Sequence, residues 1–138
     1  MKEIIACSAC LLGLNTKYDS LNNFNQKVFA YLRDKTVIVI CPEVFGGLLI
    51  PRNPSEIRGE KLYDNFGKDV SEYFMKGAEE TLSLLKRYGC TKAILKDGSP
   101  SCGTTYIYDG TFTSTLKKGL GITAKLLIEN GIEIIEIE

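Results

Sequence analysis

The sequence contains no histidine and no tryptophan among its 138 residues. Without histidine, the chain cannot form a Ser-His-Asp triad, a Cys-His pair or a metal site that depends on imidazole. Acid–base chemistry must therefore come from carboxylates, thiols, lysines, tyrosines or water. Any transition metal that the protein holds must rely mainly on cysteine thiolates.

Two further absences exclude whole classes of protein. No apolar run approaches the roughly 20 residues needed to cross a bilayer, and residues 1–6 are too short and too acidic for a signal peptide. Lysine plus arginine equal aspartate plus glutamate at 17 each, so no basic excess indicates nucleic-acid binding. We therefore expect a cytoplasmic protein that binds neither membranes nor nucleic acid.

The length and the cysteine content indicate what the chain can build. At 138 residues, 44% of them apolar, the chain is predicted to form one domain over residues 1–138 with a core that needs no disulfide. Five cysteines are present, at positions 7, 10, 41, 90 and 102. In a cytoplasmic protein, cysteines bind metals or take part in catalysis more often than they form disulfides.

Strand and helix patterns alternate along the chain. Strands are predicted at residues 3–7, 36–40, 92–95 and 132–137, and helices at residues 25–34, 69–87 and 123–130. This order predicts an α/β fold of the Rossmann or flavodoxin type, with a mostly parallel sheet of four to five strands and helices on both faces. The unalternated apolar strand 36–40 is expected to be buried on both faces.

The sequence also predicts local structure in two other segments. Residues 44–67, rich in glycine, proline and asparagine, read as a long irregular connection, and such connections are usually functional or contain short elements. Residues 106–113 contain a central Asp-Gly pair, which predicts a small hairpin that turns at that pair.

Three cysteines lie at the carboxyl ends of three predicted strands. Cys10 follows the first strand, Cys41 ends the second, and Cys102 lies in the Gly- and Pro-containing loop 96–103 after the third. Ligands of open parallel sheets bind at this edge. The sequence therefore predicts that three thiols, distant along the chain, gather at one place.

Such a group of thiols has more than one interpretation. Three thiolates without histidine suit either zinc or an iron–sulfur cluster, and a set of three leaves one metal position open. The site could then be catalytic, or it could belong to a binding module without activity. The pair Cys7 and Cys10 also matches a C-x-x-C dithiol, although Cys7 is predicted inside a strand. Cys7 and Cys90 otherwise read as small buried residues.

Polar residues accompany these thiols. Glu43 comes two residues after Cys41 and, in the absence of histidine, is the best-placed general acid or base. Ser101 precedes Cys102 directly, and its hydroxyl could cap the loop or bind a ligand. The other candidates for binding a polar ligand are Ser8, Ser99, Arg52 and Lys96.

Several blocks of sequence together resemble the thiouracil desulfidase family. They are Ser-Ala-Cys-Leu-Leu-Gly at 8–13, Lys-Tyr-Asp at 17–19, Cys-Pro-Glu-Val-Phe-Gly-Gly-Leu at 41–48, Pro-Arg at 51–52, Ser-Pro-Ser-Cys-Gly at 99–103 and Ile-Tyr-Asp-Gly-Thr-Phe at 107–112. The blocks are collinear and cover nearly the whole chain. The Cys-Pro-Glu and Ser-Pro-Ser-Cys-Gly blocks together are highly specific.

The resemblance implies a cofactor, a reaction and roles for particular residues. It implies a [4Fe–4S] cluster held by Cys10, Cys41 and Cys102, with a fourth iron free of protein ligands and a cluster that aerobic preparation can remove. The implied substrate is a small thiolated nucleobase such as thiouracil, and the products are the oxo base and hydrogen sulfide. Glu43 would be the acid–base residue, and Ser101, together with Ser99, would position the substrate.

Overall fold

Eight strands and four α-helices form along residues 2–137, the part of the chain that the computed structural model describes. The strands are β1 (Ile4–Ser8), β2 (Thr36–Ile40), β3 (Ser55–Arg58), β4 (Lys61–Asp64), β5 (Lys92–Ile94), β6 (Tyr106–Tyr108), β7 (Leu116–Lys118) and β8 (Glu133–Ile134). The helices are α1 (Gln26–Tyr31), α2 (Pro42–Phe45), α3 (Ser71–Arg87) and α4 (Ile122–Glu129), with a 3₁₀ turn at Ala9–Leu12. None of these helices is long and apolar enough to span a bilayer.

A four-stranded parallel sheet in the order β2-β1-β5-β8 forms the centre of the molecule. Successive residues of a strand point to opposite faces, and β1 follows this rule. Its Ala6 packs in one apolar cluster with Leu85 of α3 and Leu127 of α4, whereas Ile5 packs in a second cluster with Val28 of α1. Helices therefore cover both faces, and the predicted α/β fold is confirmed.

The prediction for β2 was right in its bounds and wrong in its burial. β2 is an edge strand that pairs with β1 alone, and Val39 is 41% exposed. A β-branched apolar run predicts a strand, but its place in the sheet depends on which strands follow it in the chain. The last strand, β8, pairs over two residues instead of the predicted six.

Two antiparallel hairpins lie outside the central sheet. The segment predicted as irregular, residues 44–67, contains the last two residues of α2 and the hairpin of β3 and β4. The second hairpin pairs β6 with β7, so its loop spans residues 109–115. A hairpin forms here as predicted, but it is wider than residues 106–113: the Gly110 N–H donates to the Glu56 carboxylate (2.9 Å), and the chain continues past Asp109-Gly110 before it reverses.

Helices α2 and α3 cross at two glycines. A Cβ atom on Gly46 would lie 1.9 Å from the Tyr73 carbonyl oxygen, and one on Gly77 would lie 1.9 Å from the Pro42 carbonyl oxygen. Backbone therefore packs directly on backbone at this crossing, with no space for a methyl group. The crossing fixes the position of α2, which starts at the carboxyl end of β2.

Candidate functional site

A cavity of about 640 Å³ opens at the carboxyl ends of β1, β2 and β5. This volume lies within the usual range for ligand pockets. All nine residues that the sequence singled out line it: Ser8, Cys10, Cys41, Glu43, Arg52, Lys96, Ser99, Ser101 and Cys102. Their convergence follows from the parallel sheet, which brings the ends of three strands to one edge.

Cys41 stands between β2 and α2, as the residue that precedes the first turn of the helix. Its carbonyl accepts a hydrogen bond from the Phe45 N–H (2.9 Å), and Pro42 occupies the first helical position, where a missing N–H costs nothing. Glu43 consequently lies in the first turn of α2, beside the thiol. The Pro-Glu sequence after Cys41 thus sets both side chains at the cavity.

Cys10 lies in the 3₁₀ turn that follows β1. Its carbonyl accepts hydrogen bonds from the N–H groups of Gly13 (3.3 Å) and Asn23 (2.9 Å). Asn23 also donates its side-chain amide to the Cys10 sulfur at 3.5 Å. Gly13 adopts φ +87°, a left-handed conformation that ends the turn and suits glycine.

Cys102 lies in a loop that docks on the beginning of α4. The Ile122 N–H donates to the Pro100 carbonyl (2.9 Å), and the N–H groups of Thr123 and Ala124 donate to the Ser101 carbonyl (2.9 and 3.1 Å). These N–H groups belong to the first turn of α4, where the helix itself supplies no acceptor. The loop therefore satisfies the helix terminus, and the helix holds the loop. The Cys102 side chain is 5% exposed.

Two of the three thiols, Cys41 and Cys102, have raised pKa values. Burial raises the pKa of Cys102 to about 12, against the lowering effect of the nearby Ser8 and Ser101 hydroxyl groups. Burial and the nearby Glu43 carboxylate likewise raise the pKa of Cys41. Iron and zinc bind the thiolate, so ligation must release these protons.

The donor set fits an iron–sulfur cluster. Among residues 2–137 no three histidine, cysteine, aspartate or glutamate side chains converge on a point where one metal ion would sit. The three cysteines line one cavity, and a cluster can take them together, with one thiolate bound to each of three irons. Hydrogen bonds to such sulfurs, here from Asn23 to Cys10, tune the reduction potential of a cluster.

Glu43 ends a chain of hydroxyl groups. The Ser101 Oγ donates to Glu43 Oε2 at 3.0 Å, and the Ser101 and Ser99 hydroxyls lie 2.9 Å apart. A hydroxyl has one hydrogen to donate. Because a carboxylate only accepts, Ser101 gives its hydrogen to Glu43 and receives one from Ser99.

The Ser99 hydroxyl also makes hydrogen bonds with backbone groups of its loop. Its Oγ accepts hydrogen bonds from the N–H groups of Ser101 (3.1 Å) and Cys102 (3.0 Å). The hydroxyl therefore caps the loop that carries Cys102. The sequence left open whether these serines cap the loop or bind a ligand. In the structure Ser99 caps the loop, and its hydroxyl is in contact with that of Ser101.

Arg52 holds the other oxygen of Glu43. Its Nε donates to Glu43 Oε1 at 3.0 Å, and its Nη2 donates to the Thr16 carbonyl at 2.9 Å. The exposed fraction of the Arg52 side chain is 8% and that of Glu43 is 16%, so solvent screens this ion pair less than a surface pair. Arg52 thus fixes the orientation of the carboxylate.

Ser8 and Lys96 join β1 to the loop after β5. Ser8 Oγ accepts a hydrogen bond from the Lys96 N–H (3.0 Å), and its hydroxyl also contacts the Cys102 sulfur. The Lys96 ammonium donates to the Asp97 carbonyl at 2.7 Å. Both residues line the cavity, where their polar groups already have protein partners.

Asp97 organises the loop, a role that the sequence analysis missed. Its Oδ1 accepts hydrogen bonds from the N–H groups of Gly98, Thr104, Thr105 and Tyr106, at 2.9 to 3.0 Å. Burial alone would raise the pKa of Asp97, but these four hydrogen bonds lower it overall. The sequence signal was the Asp-Gly pair, since aspartate favours such turns.

Substitution of Asp97 tests this role through pH. We expect Asp97→Asn to lower the free energy of unfolding by about 1–3 kcal/mol at pH 7, because an amide accepts these hydrogen bonds less strongly than a carboxylate. A lowered pKa means that the stabilisation is complete above about pH 4 and is lost as the pH falls through the folded-state value. Urea unfolding of both proteins at pH 7 and pH 3 should show the difference shrink. A difference that stays constant with pH would contradict this assignment.

The remaining cysteines lie away from the cavity. Cys7 lies in β1 and is 0% exposed, and burial, with a smaller effect of Cys10, raises its pKa to about 12. A dithiol nucleophile requires the opposite, an accessible thiol of lowered pKa. Cys90 is buried beside the Lys92 carbonyl, to which its thiol points at 3.3 Å. The structure thus places both where a small buried residue is expected.

Several lining residues were not identified from the sequence. The cavity is bordered by a buried carboxylate, Glu56, and by the aromatic rings of Tyr18, Tyr106, Tyr108 and Phe112. Glu56 lies in the segment that the sequence predicted to be irregular, and in β3 it is buried on the cavity side while the next residue, Ile57, packs against the cluster of Leu62, Val70 and Phe74. No local signal indicated that this strand would turn a charge toward the site.

Comparison with known proteins identifies a family. The sequence profile of 2-thiouracil desulfurase matches residues 5–138. The uncharacterized protein YbbK of Bacillus subtilis (strain 168) is 36% identical over 142 aligned positions, which cover 96% of this chain and 94% of that protein.

A solved structure is similar over nearly its full length. It is that of the [4Fe–4S]-dependent thiouracil desulfidase TudS, which superposes with a TM-score of 0.92 at 40% identity. The match covers 97% of this chain and 90% of that one. The similarity therefore includes the central sheet and the loops at its carboxyl edge.

Proposed function

The chain belongs to the 2-thiouracil desulfurase family, and we propose that it is a [4Fe–4S]-dependent desulfidase that converts a thiolated nucleobase such as thiouracil to the oxo base. The observation that carries the assignment is the convergence, in one cavity, of three thiols and the pair formed by Glu43 and Ser101. We further propose that the chain acts as one domain in the cytoplasm, on a free small molecule and not on nucleic acid.

Cys10, Cys41 and Cys102 are the residues proposed to hold the cluster. They are the three cysteines that line the cavity, and each comes from a different loop at the edge of the sheet. When bound, a cluster with one iron free of protein ligands supplies a soft Lewis acid for the departing sulfur.

The net reaction needs proton transfer and no electron transfer. Water adds at the thiocarbonyl carbon, a carbon–oxygen bond forms, and the carbon–sulfur bond breaks. The two hydrogens of the water end on sulfur as hydrogen sulfide, so atoms and charges balance. A residue beside the reacting carbon must therefore remove protons from oxygen and return them to the leaving sulfur.

Glu43 is the residue suited to this transfer. Arg52 at Oε1 and Ser101 at Oε2 hold its carboxylate from both sides, with donors at 3.0 Å each. Such fixed partners keep the oxygens in place for a proton from water. The Ser101 hydroxyl, which donates to Oε2, can reorient when this oxygen gains or loses a proton. The Ser99 hydroxyl lies next to it and extends the hydrogen-bonded chain.

The aromatic wall suits a flat pyrimidine ring. Tyr106 and Tyr108 of β6 and Phe112 of the following loop line the same cavity as the thiols. The faces of such side chains stack on bases of any sequence, a contact that orients the ring plane. Selectivity among different flat bases must therefore come from polar groups that contact the edge of the ring.

Substitution of Glu43 separates catalysis from cofactor binding. We expect Glu43→Gln to lower the rate of sulfide release from 2-thiouracil by about 100-fold or more, since general acid–base catalysis contributes factors of this size. Iron content per chain should stay at the wild-type level, because Glu43 is not among the proposed ligands. Sulfide is measured colorimetrically after anaerobic reconstitution.

A matched variant completes the experiment. Glu60→Gln removes an exposed carboxylate in the turn between β3 and β4 and should change neither quantity. Full activity in Glu43→Gln would rule out the assigned role of this residue. Absence of sulfide release from the iron-loaded wild-type protein would rule out the proposed activity on this base.

A further inference from the structure

A second carboxylate, Glu56, borders the cavity without taking part in the steps above. It lies in β3, is 8% exposed, and faces inward from the hairpin of β3 and β4. None of the ion pairs among residues 2–137 includes it. Burial of a charge is costly unless hydrogen bonds compensate for the lost water. Hydrogen bonds to other groups must therefore compensate for the burial of the Glu56 carboxylate.

One oxygen of Glu56 holds the tip of the neighbouring hairpin. Its Oε1 accepts hydrogen bonds from the N–H groups of Gly110 (2.9 Å) and Phe112 (3.1 Å). Arg58 fixes the same tip, since its Nε donates to the Gly110 carbonyl (2.7 Å) and its guanidinium lies 5.7 Å from the centre of the Phe112 ring. Phe112 has φ +58°, a conformation that needs such support in a residue other than glycine.

The other oxygen of Glu56 has no such use. Among the described residues no donor lies within hydrogen-bond distance of Oε2, whereas Oε1 has two. Within that part of the chain the one fully enclosed side-chain oxygen or nitrogen without a partner is Oγ1 of Thr123, so Oε2 is not fully enclosed. Glu56 lines the cavity, and Oε2 is the oxygen that remains available as an acceptor for a ligand there.

Given the proposed function, on which this step depends, we infer that Glu56 Oε2 accepts a hydrogen bond from a ring N–H of the thiolated base. Pyrimidine thiones carry N–H groups beside the thiocarbonyl carbon, and a carboxylate is the side chain that accepts from N–H without offering a competing hydrogen. A base with a methyl group or a sugar on that nitrogen would leave Oε2 buried and unpaired. Such mismatches are rejected strongly by sites that are built to hydrogen-bond.

N-methylated substrates test the contact directly. Methylation of the recognised ring nitrogen should be rejected by the wild-type holoenzyme. We therefore expect one of the two bases 1-methyl- and 3-methyl-2-thiouracil to show a kcat/KM about 10- to 100-fold below that of 2-thiouracil, the loss expected for one hydrogen bond to a charged group. Glu56→Gln should lower kcat/KM for 2-thiouracil by a similar factor and leave the rejected methyl derivative almost unchanged. The amide retains one oxygen for the hairpin tip while it removes the second acceptor.

The ratio between substrates separates binding from a merely structural role. If Glu56 only supports the hairpin, Glu56→Gln lowers kcat/KM for all three bases by one common factor, and the inference is overturned. Glu60→Gln, on an exposed residue of the same hairpin, should leave every ratio at its wild-type value.

Calorimetry supplies a readout without turnover. Uracil should bind the holoprotein about 10-fold more weakly after Glu56→Gln, and uracil methylated at the recognised nitrogen should bind both proteins equally weakly. Equal affinity of uracil for the two proteins would overturn the inference. If the wild-type protein releases sulfide but does not prefer bases with free N–H groups, only the inference about Glu56 is overturned. If it releases sulfide from none of the bases, the proposed function is overturned as well.

Discussion

Wild-type protein reconstituted anaerobically with iron and sulfide will bind about four irons per chain, and the triple variant Cys10→Ser, Cys41→Ser, Cys102→Ser will bind none. The reason is that serine hydroxyls replace the three thiols that line the cavity. Sulfide release from 2-thiouracil should disappear in the same variant. Iron is measured by chelation and the cluster by its visible absorbance. Oxygen must be excluded, because a cluster with an accessible iron is easily lost in air.

Cys7 and Cys90 provide the control for that experiment. Both are buried in the core, at 0% and 2% exposure, and neither lines the cavity. Cys7→Ala and Cys90→Ala should therefore lower the free energy of unfolding and still bind wild-type amounts of iron. Iron retained in the triple variant would refute the ligand assignment, and little iron in the wild-type protein would refute the cofactor. Loss of activity in Cys7→Ala with normal iron would instead favour a dithiol function.

Gly77→Ala should destabilise the protein by about 2 kcal/mol or more, although the same change in a free helix is stabilising by about 1 kcal/mol. The added Cβ would lie 1.9 Å from the Pro42 carbonyl oxygen, so one of the two backbones must move. Because Pro42 connects Cys41 to Glu43, we expect iron content and sulfide release to fall together with stability. Urea unfolding and iron analysis measure these effects.

Lys76→Ala is the matched change on the same helix. Lys76 is exposed on α3, next to Gly77 in sequence, so its replacement leaves the crossing intact. We expect an unfolding free energy within about 0.5 kcal/mol of wild type and normal iron content. Gly77→Ala protein as stable as Lys76→Ala would show that the crossing has space for a methyl group and would contradict the packing described above.

The sequence was sufficient to predict the sheet edge and the thiols on it. β1, β2 and β5 are short apolar runs, and their strand character comes from residues within the run. Their parallel arrangement follows from the helices between them, since a parallel crossover needs one. Cys10, Cys41 and Cys102 come after these strands, so their proximity required only the order of elements.

Contacts between separate hairpins could not be predicted in this way. The inward orientation of Glu56 depends on N–H groups that the 109–115 loop presents to it, more than 50 residues along the chain. The exposure of Val39 depends on which strands pair with β1 and β5. Likewise, the Gly46–Gly77 contact joins two helices whose crossing no local pattern specifies. Each is a property of packing between distant segments.

The contact between the Cys102 loop and α4 has a consequence for the timing of maturation in the cell. The carbonyls of Pro100 and Ser101 are held by N–H groups of residues 122–124, which leave the ribosome after all three cysteines. A nascent chain that has exposed Cys10, Cys41 and Cys102 still lacks the helix terminus that orders the last of them. We therefore expect the proposed ligand set to assemble only after α4 has been synthesised, so that a cofactor delivered earlier would meet a Cys102 loop that is not yet ordered.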